Sequence, residues 1–195
     1  MSSTNSPIAV PSEGMLQEFD LGLQVTADFD LQSLFPNDRL LRLHPHWFIK
    51  NFKKNELSFS ADIEDYATQE KFSITGIVVY PDKAHEFMHI KLSGGLEKEI
   101  LFLDRGGTLK AQVVSSHGPV TDDDPLLLWI RGIREYIRLF LKKTPITLFF
   151  RILMNRMVLK MDPSQRKISM MITKITAVEV LVIILIVVGY VLFVH

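Results

Sequence analysis

The chain has no cysteine among its 195 residues, which excludes disulfides and thiolate metal sites and permits a reducing compartment. Its opening segment lacks a secretory leader. Met1 to Gly14 is rich in Ser and Pro, with neither a basic n-region nor an apolar h-region, and reads as a disordered arm. No G-x-S-x-G nucleophile elbow is present. The pairs Gly94-Gly95 and Gly106-Gly107 open no helix, so they read as hairpin glycines and not as phosphate cradles. Net charge is also missing, at zero. Catalysis is left without a motif to carry it.

The zero net charge conceals a division. Residues 1 to 130 hold 11 basic and 19 acidic side chains, whereas residues 131 to 174 hold 11 basic ones against only Glu135 and Asp162. The basic block directly precedes an apolar run, which makes an anionic membrane surface a better partner than nucleic acid. Lys142, Lys143, Arg151, Arg156, Lys160, Arg166, Lys167 and Lys174 are its candidate membrane-surface residues.

The apolar run, Ile175 to Val194, contains only Thr176 and Glu179 as conspicuously polar residues. About twenty residues rising 1.5 Å each match a hydrocarbon core of ~30 Å. Val180 to Val188 is wholly Val, Leu and Ile, weak helix formers in water, but in lipid only a helix satisfies the backbone. Glu179 sits one turn inside the edge, within reach of headgroups and favourable to a helix start; a contact to a partner helix is the alternative. Basic residues precede the span and only His195 follows it, which predicts a cytoplasmic N-terminal domain, post-translational insertion and a tail anchor.

Upstream, Leu23 to Phe29 alternates as a strand, and Asp30 to Leu43, broken at Pro36-Asn37-Asp38, predicts one or two short helices. Leu57, Phe59, Ala61 and Ile63 then alternate with polar residues. Strands are predicted at Phe72–Tyr80, Glu86–Leu92, Glu97–Leu103 and Thr108–Val114, with short Gly-rich connections suited to an antiparallel meander. Asp122-Asp123-Asp124-Pro125 provides a helix cap and a proline at the first helical position. Trp129, Ile130, Ile133, Tyr136, Ile137, Phe140 and Leu141 recur at helical steps opposite Arg131, Arg134, Glu135, Arg138 and Lys142. Thr144-Pro145 interrupts the helix. Ile146 to Met161 fits an interfacial membrane helix, with packing on the domain as the alternative. Asp162-Pro163-Ser164-Gln165 starts a last helix that runs into the anchor.

A short strand, small helices, antiparallel strands and a long covering helix resemble the helix-grip fold of the START-like or SRPBCC superfamily. The resemblance covers Leu21 to Lys143, through the Leu43-His44-Pro45-His46-Trp47 segment, the strands from Leu57 to Val114, and Asp124 to Leu141. It implies an α+β fold and an apolar cavity between sheet and helix that takes a lipid or similar hydrophobic molecule. Phe59, Ile74, Val78, Trp129, Ile133, Tyr136, Ile137 and Phe140 are the candidate cavity residues. The family's spread points to a bacterial plasma membrane.

The expected organisation is therefore an arm over 1–20, the α+β domain over 21–143, basic juxtamembrane helices over 144–174 and the transmembrane helix over 175–194. No cofactor or metal is expected. His44 with His46, and His85 with His89, lack the convergent partners a closed metal site needs. The leading expectation is a tail-anchored, non-catalytic domain that binds a hydrophobic ligand at the membrane surface. A cyclase or aromatase-like enzyme with a cavity acid or base, and a membrane-tethered interaction scaffold with a solid core, are the alternatives.

Overall fold

A computed structural model describes residues 15–26, 29–35, 37–55, 58–81, 85–116, 118–122, 124–142 and 144–194. The chain divides into two units, one running through Arg151 and one from Ile152.

The first unit is built on seven strands: β1 (Met15–Gln24), β2 (Trp47–Lys54), β3 (Ser58–Asp65), β4 (Lys71–Val79), β5 (Glu86–Gly94), β6 (Lys98–Arg105) and β7 (Thr108–Ser115). All pair antiparallel in one sheet of order β1-β7-β6-β5-β4-β3-β2. A continuous meander thus runs from β2 to β7, and β1 closes on the free side of β7. A short helix α1 (Asn37–Arg42) lies between β1 and β2, and a long helix α2 (Pro125–Leu141) follows β7. This is the helix-grip α+β arrangement that the order of elements predicted.

Period-two patterning accounts for the sheet's two faces. On β3, Phe59, Ala61 and Ile63 are buried, while Ser60, Asp62 and Glu64 face outward. Ile74 and Val78 of β4 point the same way as Phe59. Between β6 and β7, Gly106 and Gly107 both have positive φ, as a two-residue loop matched to strand twist requires. The Asp104 carboxylate fastens that loop by accepting from the Gly107 N–H at 2.7 Å.

The first strand departs from expectation. It covers Met15–Gln24, not Leu23 to Phe29, and so takes in residues 15–20 that the sequence assigned to the arm. Its inward row includes Gln17, a polar residue that breaks the apolar alternation. The Gln17 amide is satisfied by the Val120 backbone, whose N–H donates to it at 2.6 Å. A register shift between Asp20 and Leu23, where Gly22 has φ 61°, further disrupts the pattern. A second shift lies between Lys50 and Lys53 of β2, with Asn51 at φ 48°. Both edge strands are therefore bulged. The expected arm over Met1 to Gly14, and Leu57 of the predicted β3 alternation, fall outside the described residues.

The start of α2 follows its capping signal. Asp124 accepts from the Leu126 N–H at 2.9 Å, Pro125 opens the helix, and the second Asp124 oxygen pairs with Lys98 of β6. Helix α3 (Pro145–Arg156) follows α2, and the boundary between the two units falls inside it, after Arg151.

The second unit holds the end of α3, a 3-10 turn at Val158–Lys160 and one unbroken helix, α4 (Pro163–Val194). The Gln165 amide oxygen accepts from the Asp162 N–H at 3.1 Å, half of the expected capping box. The stretch Pro163–Leu192 is long and apolar enough to cross a membrane, and none of its most apolar window is buried.

Candidate functional site

The expected ligand site lies where α2 faces the inner side of the sheet. The structure brings its residues together: Phe59 from β3, Ile74 and Val78 from β4, and Trp129, Ile133, Tyr136 and Ile137 from α2 are all buried. Each exposes 2% or less of its surface, and a hollow able to admit even water would leave accessible surface on the side chains lining it. These seven residues form a close-packed core. Phe140, the eighth, is half-buried at the end of α2, with its ring 4.9 Å from that of Tyr136.

Two close approaches tighten the interface. The Phe59 ring occupies the space that a Cβ on Gly76 would need, and the Leu43 carbonyl occupies the space of a Cβ on Gly132. Gly132 is the mid-helix residue that lets α2 seat against the segment entering β2. Trp129 anchors the same contact by donating its indole N–H to the Leu40 carbonyl at 2.7 Å. Arg134 ties the helix to β1 through the Leu21 carbonyl at 2.5 Å.

Beside Trp129 lies the Leu43-His44-Pro45-His46-Trp47 segment. The His44 ring stacks on Trp47 at 4.1 Å, and Trp47 lies 5.6 Å from Trp129 and 6.1 Å from Phe72. His44 Nδ1 accepts from the His46 N–H at 3.2 Å. Trp47 is buried to 1%, and its indole N–H has no hydrogen-bond partner among the described residues. Elsewhere, His85 lies just before β5 and pairs with Asp104, while His89 on β5 pairs with Glu99. Among the described residues no group of three or more His, Asp or Glu side chains is arranged to hold a metal.

Two depressions lie on the opposite, outer face of β2 to β4. One, of about 420 Å³, is bordered by Asn51, Lys53, Ser60, Asp62, Ser73 and Thr75; the other, of about 280 Å³, adjoins it near Lys50, Glu64 and Lys71. Hydrogen bonds from Asn51 and Ser73, each at 2.7 Å, hold the Asp62 carboxyl below its ordinary range. Lys50 does the same for Glu64. Phe52, Ala61 and Ile74 also line the first depression, and Ile63 and Phe72 the second, while the carboxylates at their rims are already paired.

The candidate membrane-surface residues separate into two groups. Lys142, Arg156, Lys160, Lys167 and Lys174 are exposed, whereas Lys143 lies outside the described residues. Arg151 and Arg166 instead serve the backbone. Arg151 donates to the carbonyls of Leu139 at 2.8 Å and of Phe140 and Lys142 at 3.0 Å, and its guanidinium covers the Phe140 ring at 4.6 Å. It thereby caps the C-terminal end of α2. Arg166 donates to the Met161 carbonyl at 3.0 Å. The carbonyls that Arg151 meets leave no mark in the sequence.

No family model matches the chain, and no curated protein matches it. Several solved structures are similar, three of them as follows. Chr148 from Cytophaga hutchinsonii is 11% identical with a TM-score of 0.38, over 66% of this chain and 92% of that one. The AHSA1-like protein from Aeromonas hydrophila is 10% identical with a TM-score of 0.38, over 67% and 96%. A hypothetical protein from Sulfolobus tokodaii is 14% identical with a TM-score of 0.37, over 71% and 96%. The architecture of this chain rests on its own strand order and register.

Proposed function

We propose that the chain is a single-pass membrane protein whose α+β domain works at the cytoplasmic membrane surface as a non-enzymatic interaction module. The observation that carries this reading is a solid domain core in the same chain as an exposed apolar helix of spanning length. A filled interface between sheet and helix leaves recognition to the outside of the domain. The membrane side rests on Arg166, Lys167 and Lys174, which precede the most apolar part of α4. No described cluster combines a nucleophile, a base and a water-excluding pocket, so a cyclase-like reaction has no support.

The test is extraction of the full chain in native nanodiscs, followed by cross-linking and mass spectrometry of both protein and small molecules. A stoichiometric protein partner cross-linked through the domain surface is the expected result. A stoichiometric hydrophobic molecule that raises the melting temperature of the domain, with no protein partner, would overturn it.

That second outcome corresponds to the ligand-binding reading, which one observation favours. The Trp47 indole N–H is buried without an acceptor among the described residues, and such a group costs about 1–3 kcal/mol. A ligand oxygen entering between β2 and α2 would satisfy it. The same mass spectrometry distinguishes the two readings.

A further inference from the structure

Helix α3 has two unequal sides. Thr147 and Arg151, four residues apart, form a half-buried side that is bound back to the end of α2. The remainder exposes Ile146, Leu148, Phe149, Phe150 and Ile152, at 44–68% of their surface. So much contiguous apolar surface on one short helix marks a contact with a nonaqueous partner. At 12 residues the helix is about 18 Å long, too short to cross a hydrocarbon core of ~30 Å. Exposed Lys142, Arg156 and Lys160 lie at or near its two ends, as in helices that rest among anionic headgroups.

The attachment to α2 is unusually well bonded for a helix–helix connection. Thr147 Oγ1 donates to the Lys142 carbonyl at 2.7 Å and accepts from the Thr144 N–H at 2.9 Å. Arg151 adds its three carbonyl contacts and its stacking on Phe140. Phe140 in turn packs on Tyr136, and Tyr136 on Phe35, with ring centroids 4.9 and 5.4 Å apart. The elbow is therefore continuous with the aromatic core.

We propose that α3 lies in the plane of the bilayer interface, with Phe149, Phe150 and Ile152 in the acyl boundary, and that Arg151 is the strut fixing the angle between α2 and α3. The domain then meets the bilayer in one orientation, with the C-terminal end of α2 toward the lipid. This inference rests on the membrane reading above. The occupant of the exposed face is the bilayer because only 18 residues separate the end of α3 from Ile175, where the most apolar stretch begins, and because the flanking charges are basic.

The absence of native cysteine makes the test direct. Single spin labels are placed on the full chain through F149C, F150C, I152C, K53C and L185C, in nanodiscs of phosphatidylcholine and phosphatidylglycerol. Accessibility to oxygen and to a water-soluble nickel chelate then reports depth. The expected result is shallow lipid exposure at 149, 150 and 152, aqueous exposure at 53 and deep lipid exposure at 185. Aqueous labels at 149, 150 and 152 with a deep label at 185 would overturn the inference and leave the anchor intact. Labels at 149, 150 and 152 shielded from both reagents would overturn it too, by showing a protein contact. An aqueous label at 185 would overturn the membrane reading itself. For the strut, double labels through R131C and L148C should give a narrow distance distribution that R151Q broadens at least twofold. An unchanged width in R151Q would refute the role of Arg151.

Discussion

Asp124 joins two functions in one carboxylate, and its removal tests whether α2 is held as described. One oxygen caps α2 through the Leu126 N–H, and the other pairs with Lys98 of β6, each side chain being 14% exposed. Replacing an N-cap carboxylate with Ala costs about 1 kcal/mol. Losing the partner also leaves the Lys98 ammonium partly desolvated. A fully buried pair broken on one side costs about 3–5 kcal/mol, and the residual exposure here reduces that to roughly 1–2 kcal/mol. The expectation for D124A is therefore about 2–3 kcal/mol. D124N retains a good cap and loses only the charge, so it should cost about 1–2 kcal/mol. Trp47 and Trp129 are the chain's two tryptophans and both lie in the domain core, so intrinsic fluorescence of the full chain in detergent follows the domain alone. For a domain of this size each kcal/mol shifts the melting temperature by about 3–5 °C, which gives about 6–15 °C for D124A. The difference between D124A and D124N isolates the cap, and a K98M/D124N cycle isolates the pair. Equal effects from D124A and D124N would refute the cap, and a D124A cost below ~0.5 kcal/mol would refute the whole assignment.

The remaining predictions probe the interface itself. G132A should destabilise the domain by about 1–3 kcal/mol or more, since its Cβ would meet the Leu43 backbone carbonyl, which cannot swing aside as a side chain would; an unchanged melting temperature would show that α2 is seated differently. W129F and W47F remove similarly buried indoles, but among the described residues only the first breaks a hydrogen bond, so by circular dichroism W129F should cost about 1–2 kcal/mol more. The Tyr80 phenol, which donates to the Phe35 carbonyl at 3.1 Å, is pushed from 10.0 up to about 12 by burial, with the Asp30 charge adding to it. The unfolded chain therefore loses this proton first, so the phenol's contribution is complete below pH 10 and is lost as the pH rises toward 12. Alkaline melts should show that decline in the native chain and a shallower one in Y80F, and parallel profiles would remove Tyr80 as the cause.

Much of this fold was legible because patterning and punctuation agreed. Phe59, Ala61 and Ile63 alternate where β3 forms, Gly106-Gly107 marks the turn between β6 and β7, and Asp124-Pro125 marks the start of α2. β1 was misplaced because Gln17 sits in an inward row and takes its hydrogen bonds from Val120, a partner distant in sequence. Seven of the eight expected cavity residues are buried in the domain. Whether the sheet–helix interface is hollow depends on how volumes sum, and neither periodicity nor composition carries that information. Gly132 offered a missed signal: a glycine inside a strong amphipathic helix costs about 1 kcal/mol, and that cost points to a close backbone approach. Arg151 offered none, because a cation bonded to backbone carbonyls and one facing lipid headgroups are the same letter.

The two bulged edges of the sheet matter more for a tethered domain than for a diffusing one. An open sheet ends in unpaired backbone groups, and here those ends are β1 and β2. Each carries a register shift, and β2 adds Lys50, Lys53 and Lys54 along an edge where a second strand would have to lie flat. Confinement to a membrane exchanges a volume for a surface, so neighbouring copies meet far more often and in nearly the same pose at every encounter. Under that crowding even a weakly complementary edge would zip copies into ribbons. For a domain tethered as proposed, the bulge on each edge and the lysines of β2 would keep the copies separate and leave the outer surface of each domain available to a different molecule.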